Sequence, residues 1–159
     1  MYSPYQRYLR KYFLFDRSLL KDLSKISWET VKDYYRDTCR KDGSNPAAVA
    51  VIQTFGDCLA TGPHMHILAA DGCFSGDGFF YAPAINIDTA SIEKLFIHKI
   101  FKMLLSKKLI ITKVMNLIFS WRHTGFSVYC GKRIYPKDKI STQEPGKIYH
   151  KGIVLLRIG

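Results

Sequence analysis

The sequence predicts an α+β fold: an antiparallel β-sheet flanked by α-helices. Three observations carry this reading. Segments of small, β-branched and aromatic residues between 47 and 83 are separated by Gly-, Asp- and Pro-rich connections. Two apolar stripes at helical spacing follow residue 88, and a strand-like segment returns at 126–130. Strands first, then helices, then a strand is the order of a layered α+β domain, not of alternating βαβ units. The 159 residues, 47% hydrophobic and 14% aromatic, suffice for one domain with a real core and are too few for two comfortable ones.

Each element has its own pattern. Leu19, Leu20, Leu23, Ile26, Val31, Tyr34 and Tyr35 recur near helical spacing with charged residues between them, which predicts an amphipathic helix over 17–39 with Asp16 as its N-cap. "KDGSNP" (41–46) reads as a loop and "AAVAVIQTF" (47–55) as a strand. After the connection "GDCLATGP" (56–63), "HMHILAA" (64–70) is the next strand, "DGCFSGDG" (71–78) a turn and "FFYAP" (79–83) a short strand, a hairpin-built sheet. Ile92, Leu95, Phe96, Ile100, Met103 and Leu104 form one helical stripe, capped by Asp88 or Thr89, and Val114, Leu117, Ile118 and Trp121 form a second. "FSVYC" (126–130) is a strand, and the tail from about 138 has no helical period.

Charge and cysteine usage narrow the function classes. The formal net charge of +11 favours polyanions, nucleic acid first and an anionic membrane surface second. Between 94 and 139 eleven Lys and Arg face one carboxylate, Asp138, so this region carries nearly all the excess; a solvated basic face is the alternative. Cysteines at 39, 58, 73 and 130 contain no C-x-x-C pair, which argues against a zinc ribbon and for reduced thiols of a cytoplasmic protein. The N-terminal stretch has charges inside its apolar run, unlike a signal peptide, and "LIITKVMNLIFSW" is too short and too interrupted to span a bilayer. No membrane partner is expected.

The chemistry-bearing feature is "GPHMHILAADG" (62–72). Residues i and i+2 of a strand share a face, so His64 and His66 project side by side with Met65 on the other side. Two imidazoles so placed can fill two positions on a divalent cation, Mg²⁺ or Mn²⁺, with Mn²⁺ tolerating imidazole better. Two polar residues beside a core strand are the competing reading, and they would still need partners.

"PHMHILAADG" resembles the Pro-His-hydrophobe-His strand of the rolling-circle transposases of bacterial insertion sequences, members of the HUH endonuclease superfamily. "AVAVIQTFGDCLATGPHMH" resembles the family's entry into that motif, "SWRHTGFSVYCGKRIYP" its Trp-x-His-[Ser/Thr]-Gly-Phe segment, and "LRKYFLFDRSLL" its helical lead-in, so the likeness covers about residues 7–138. The resemblance implies an HUH-like fold and a bacterial, cytoplasmic protein acting on single-stranded DNA at transposon ends. It implies a tyrosine that attacks a phosphodiester, a covalent 5′-phosphotyrosine, a free 3′-OH, and no nucleotide cofactor. His64 and His66 become the metal ligands. The third ligand is not fixed by the motif; Gln53 and Asp57 are the candidates, Gln53 ahead because it belongs on the adjoining strand. Arg122, Lys132 and Arg133 are expected to contact phosphates, and Trp121 or Tyr135 could stack a base, although Trp121 fits a core stripe better. His98 reads as structural, and Asp71-Gly72 and Asp77-Gly78 read as turns.

Two family parts are missing: a cysteine-rich zinc module ahead of this segment, and the nucleophile segment after "KRIYPKDK", where "QEPGKIYHKGIVLL" stands instead. Read one base out of register from the second base of the Gln143 codon, permitted codons for 143–156 can spell Arg-Asn-Leu-Ala-Arg-Tyr-Ile-Ile-Arg-Ala-Ser-Phe-Ser, the family's tyrosine segment. The expectation is a partial HUH domain over 1–138 and a frameshifted tail over 139–159, a remnant truncated at both ends and inactive for strand cleavage. Tyr149 lies close to the nucleophile's place in an altered context, and an ordinary tail tyrosine is the preferred reading of it. A plasmid replication initiator or relaxase shares the histidine motif, but "WRHTGFSVY" argues against it; a non-catalytic DNA-binding remnant is the third reading.

Overall fold

The computed structural model describes residues 6–53, 63–82, 86–121, 125–131 and 151–158, with 6–8 and 151–158 in backbone alone. In chain order these form α1 (Gln6–Phe15), α2 (Ser18–Cys39), β1 (Asn45–Gln53), β2 (His64–Phe74), β3 (Phe80–Tyr81), α3 (Thr89–Ser106), α4 (Thr112–Phe119), β4 (Phe126–Cys130) and β5 (Lys151–Ile158). The strands make one antiparallel sheet in the order β1-β2-β5-β4, with β3 paired to β2. The fold is α+β, as the order of sequence patterns predicts.

One face of the sheet is built to bury. Met65, Ile67 and Ala69 of β2 are fully buried, while His64, His66 and Leu68 between them are only half-buried, the period-2 alternation of a strand with two different faces. In β4, Phe126 points into the core and its ring meets Phe96 at 6.0 Å and Phe101 at 5.9 Å, both on α3. The amphipathic stripes of α2 and α3 supply the other half of that core, through Leu19, Leu23, Val31, Ile92, Phe96 and Ile100. Lys99 meets Asp33 at 2.5 Å and Lys107 meets Asp22 at 3.0 Å, joining the two helices. The Asp88 N–H also donates to the Tyr34 hydroxyl at 2.7 Å, fixing the start of α3 against α2.

The caps follow expectation with one shift. Asp88 caps α3, its side chain accepting from the N–H groups of Ala90 and Ser91. The Ser91 hydroxyl, followed by the Ser91 N–H, holds the Asp88 carboxyl below its ordinary range. Helix α2 begins one residue later than expected, with Arg17 in the cap position and no side-chain cap there. Asp16 instead accepts from the Ser18 N–H at 2.9 Å from one position upstream.

Strand boundaries differ more, for identifiable reasons. β1 starts at Asn45, inside the expected loop, because the turn closes early: Gly43 takes φ +73 and the Ser44 N–H donates to the Lys41 carbonyl. β2 runs on to Phe74, through the expected turn at 71–78. Asp71 is therefore buried on a strand, and Gly72 serves close approach instead of a turn: a Cβ there would lie 2.1 Å from the Tyr81 carbonyl oxygen. The turn itself moves to 75–79, where the Ser75 N–H donates to the Phe79 carbonyl, Ser75 Oγ meets the Asp77 carboxylate, and Gly78 takes φ +89. The tail, set apart by its sequence, supplies β5, whose backbone pairs with β2 on one side and β4 on the other.

Two substitutions test this packing. Phe96→Ala should lower unfolding stability by about 3–5 kcal/mol, because a fully buried ring that meets β4 leaves a cavity. Gly72→Ala should cost about 1–3 kcal/mol by forcing β3 away from β2. Denaturant titration of each purified variant measures both.

Candidate functional site

The sheet's second face carries the candidate site, and strand register defines it. Gln53 of β1 stands opposite His64, and on the other side of His64 stand Arg157 of β5 and then Ser127 of β4. The next row across the sheet is Val51, His66, Leu155 and Tyr129. Directly opposed residues of antiparallel strands share a face, so Gln53, Val51, His64, His66, Ser127 and Tyr129 lie away from the Met65 and Phe126 side. Exposure agrees: Val51 is 58% and Tyr129 63% exposed, against 0% for Met65 and 7% for Phe126.

The two imidazoles are neighbours on this face. Their ring centres lie 5.4 Å apart with planes inclined at 52°, close enough for one ion to reach a nitrogen of each. His66 Nε2 is buried and has no hydrogen-bond partner. An orphaned buried polar atom costs about 1–3 kcal/mol, so it calls for a physical reason. Two neighbouring imidazoles, one with a buried nitrogen that has no partner, are donors of a kind that would suit a divalent cation.

The remaining ligand candidates divide. Gln53 is exposed and directly opposite His64, which puts an amide oxygen donor within the same row. Asp57 lies outside the described residues. Among the described residues no group of three or more His, Cys, Asp or Glu could hold a metal ion, so the pair must draw any further ligand from an amide, solvent, a phosphate or elsewhere.

The DNA-contact and nucleophile candidates are mostly beyond view. Arg122, Lys132, Arg133, Tyr135 and Tyr149 lie outside the described residues. Trp121 is half-buried and packs against the hydrophobic core. His98, expected to be structural and not a ligand, is exposed on α3, in line with exposed Lys94 and Lys102 at four-residue spacing. Tyr129 escaped the sequence reading, although its alternation with Val128 in "FSVYC" was the available signal. The described cysteines, 39, 73 and 130, are free thiols, and burial followed by the Cys73 thiol pushes Cys39 up to about 12, far from a reactive nucleophile. Among the described residues no helix is long and apolar enough to cross a membrane.

Comparison with known proteins places the chain. Residues 47–142, from β1 through β4 and including both histidines, match the family Y2_Tnp, described as "Putative transposase". The match spans more than half of the 159 residues, and the chain belongs to this transposase family. No curated protein and no solved structure matches it.

A functional origin for the orphaned nitrogen has a stability signature. In metal-free buffer His66→Leu should leave unfolding stability unchanged or raise it by up to about 1 kcal/mol, since no buried nitrogen then goes unpaired. Adding Mn²⁺ at a hundred times its Kd should stabilise the wild type by about 2.7 kcal/mol and the His66→Leu variant not at all. Thermal or urea unfolding with and without Mn²⁺ checks both.

Proposed function

We propose that this transposase-family chain engages single-stranded DNA in the manner of a rolling-circle HUH endonuclease, at the ends of a bacterial insertion sequence in the cytoplasm. The observation that supports it most is the His64–His66 pair on the sheet's second face, with His66 Nε2 buried and unpartnered. In this reading the two imidazoles hold a divalent cation, Mg²⁺ or Mn²⁺, and Gln53 offers the third protein ligand. When bound, the ion supplies positive charge that polarises the scissile phosphate and offsets charge on the leaving oxygen. Arg122, Lys132 and Arg133 bring the phosphate backbone to the sheet, consistent with the formal net charge of +11.

Cleavage by such a site needs a tyrosine. Its phenol oxygen bonds to phosphorus as the bond to the 3′ oxygen breaks, and the phenolic proton ends on the released 3′-OH. The bond energy stays in the phosphotyrosine, so rejoining needs no nucleotide cofactor. Tyr149 is the candidate in this chain, but "QEPGKIYHKGIVLL" stands where the family's tyrosine segment belongs, and permitted codons for 143–156 can spell that segment one base out of register, as a frameshift near residue 140 would leave it. The chain therefore binds the ion and the strand and does not cut.

A labelled single-stranded oligonucleotide carrying the transposon end, incubated with Mn²⁺, tests this. The expected outcome is retarded DNA with no denaturation-resistant protein–DNA adduct. An adduct that disappears in Tyr149→Phe would overturn the loss of cleavage, and absence of any single-strand binding would overturn the DNA reading itself.

A further inference from the structure

Beyond the histidines, the sheet's second face presents an aromatic ring that the mechanism above does not use. Tyr129 is 63% exposed on β4, in the same row as His66 and two strand positions from it. Neighbouring strands lie about 4.8 Å apart, so the two backbones are separated by roughly 10 Å. Phe126 and Val128 on the same strand pack against the core, which turns Tyr129 outward. Across the sheet, Val49 and Val51 continue an exposed apolar floor at 64% and 58%.

The composition of this face selects its occupant. Its described residues, Val49, Val51, Gln53, His64, Ser127 and Tyr129 among them, include no carboxylate, and the chain as a whole carries a formal net charge of +11. An exposed ring on a sheet face, beside groups suited to a phosphate and with no acidic neighbour among the described residues, is the chemistry that receives an unpaired base: the ring stacks on the base while the backbone stays over the polar row. Duplex DNA, its bases already stacked, cannot use the ring in this way.

We infer that Tyr129 is a base-stacking platform that positions single-stranded DNA on the sheet, placing a base on its ring and the adjoining phosphate toward His64 and His66. The inference rests on the single-strand reading above. It assigns Tyr129 a positioning role, carried by the face of the ring and not by its hydroxyl.

The test uses the whole chain in EDTA, so that binding is read without the metal. Fluorescence anisotropy compares a labelled single-stranded oligonucleotide with the same sequence as a duplex, for wild type, Tyr129→Ala and Tyr129→Phe. Tyr129→Ala should weaken single-strand binding by about five- to a hundredfold, with duplex binding unchanged and Tyr129→Phe close to wild type. An oligonucleotide carrying 5-iodouracil should photocrosslink to Tyr129, located by mass spectrometry of the peptide. Equal losses in the Ala and Phe variants would show that the hydroxyl acts, and would overturn the stacking role. Wild-type affinity in Tyr129→Ala would overturn it while leaving the single-strand reading intact, whereas a wild type that binds no single strand would overturn both.

Discussion

The backbone pairing of β2 with β1 and β5 is the constraint on which everything else depends. A strand held on both sides cannot rotate, so the period of two becomes a division of labour. Met65, Ile67 and Ala69 are committed to the helices, and His64 and His66 are committed to the opposite face. A register slip of one residue would bury both imidazoles under α2 and α3 and expose the core residues. The face is thus specified by the same hydrogen bonds that hold the sheet, and the core indirectly orients the two imidazoles.

The same coupling explains the roles of the flanking elements. α3 seats β4 through Phe96, Phe101 and Phe126, and β4 in turn presents Ser127 and Tyr129 on the face of the histidines. α2 is tied to α3 by two ion pairs and the Tyr34–Asp88 hydrogen bond, so the helical layer backs the sheet as a unit. Sites built on rigid strands hold geometry better than sites on loops, and both imidazoles occupy strand positions. Their cost, a buried nitrogen without a partner, is borne by a sheet whose other face is densely apolar.

Much of this was legible in the sequence, and the parts that were not have physical causes. The helices announced themselves because Leu19, Leu23, Ile92, Phe96 and Ile100 keep a helical period against charged neighbours, and Asp88 is a strong capping residue. The His64–His66 orientation followed from the strand period alone. Asp71-Gly72 misled because the Asp-Gly pair has turn chemistry, while the need here is tertiary: β3 crosses where only a hydrogen fits. Tyr129 was missed because its meaning comes from register across three strands, and local pattern carries no information on which strands will be neighbours. The strand at 151–158 was hidden for the same reason: a β-branched run without helical period becomes a strand only when two partners leave a place for it.

Pulsed electron paramagnetic resonance of the protein loaded with Mn²⁺ addresses the central claim, that the two imidazoles face one cation. Couplings to imidazole nitrogens should be present in the wild type and vanish when His64 and His66 are both replaced by Gln. A Mn²⁺ signal with oxygen ligands only, or nitrogen couplings that survive the double replacement, would contradict it.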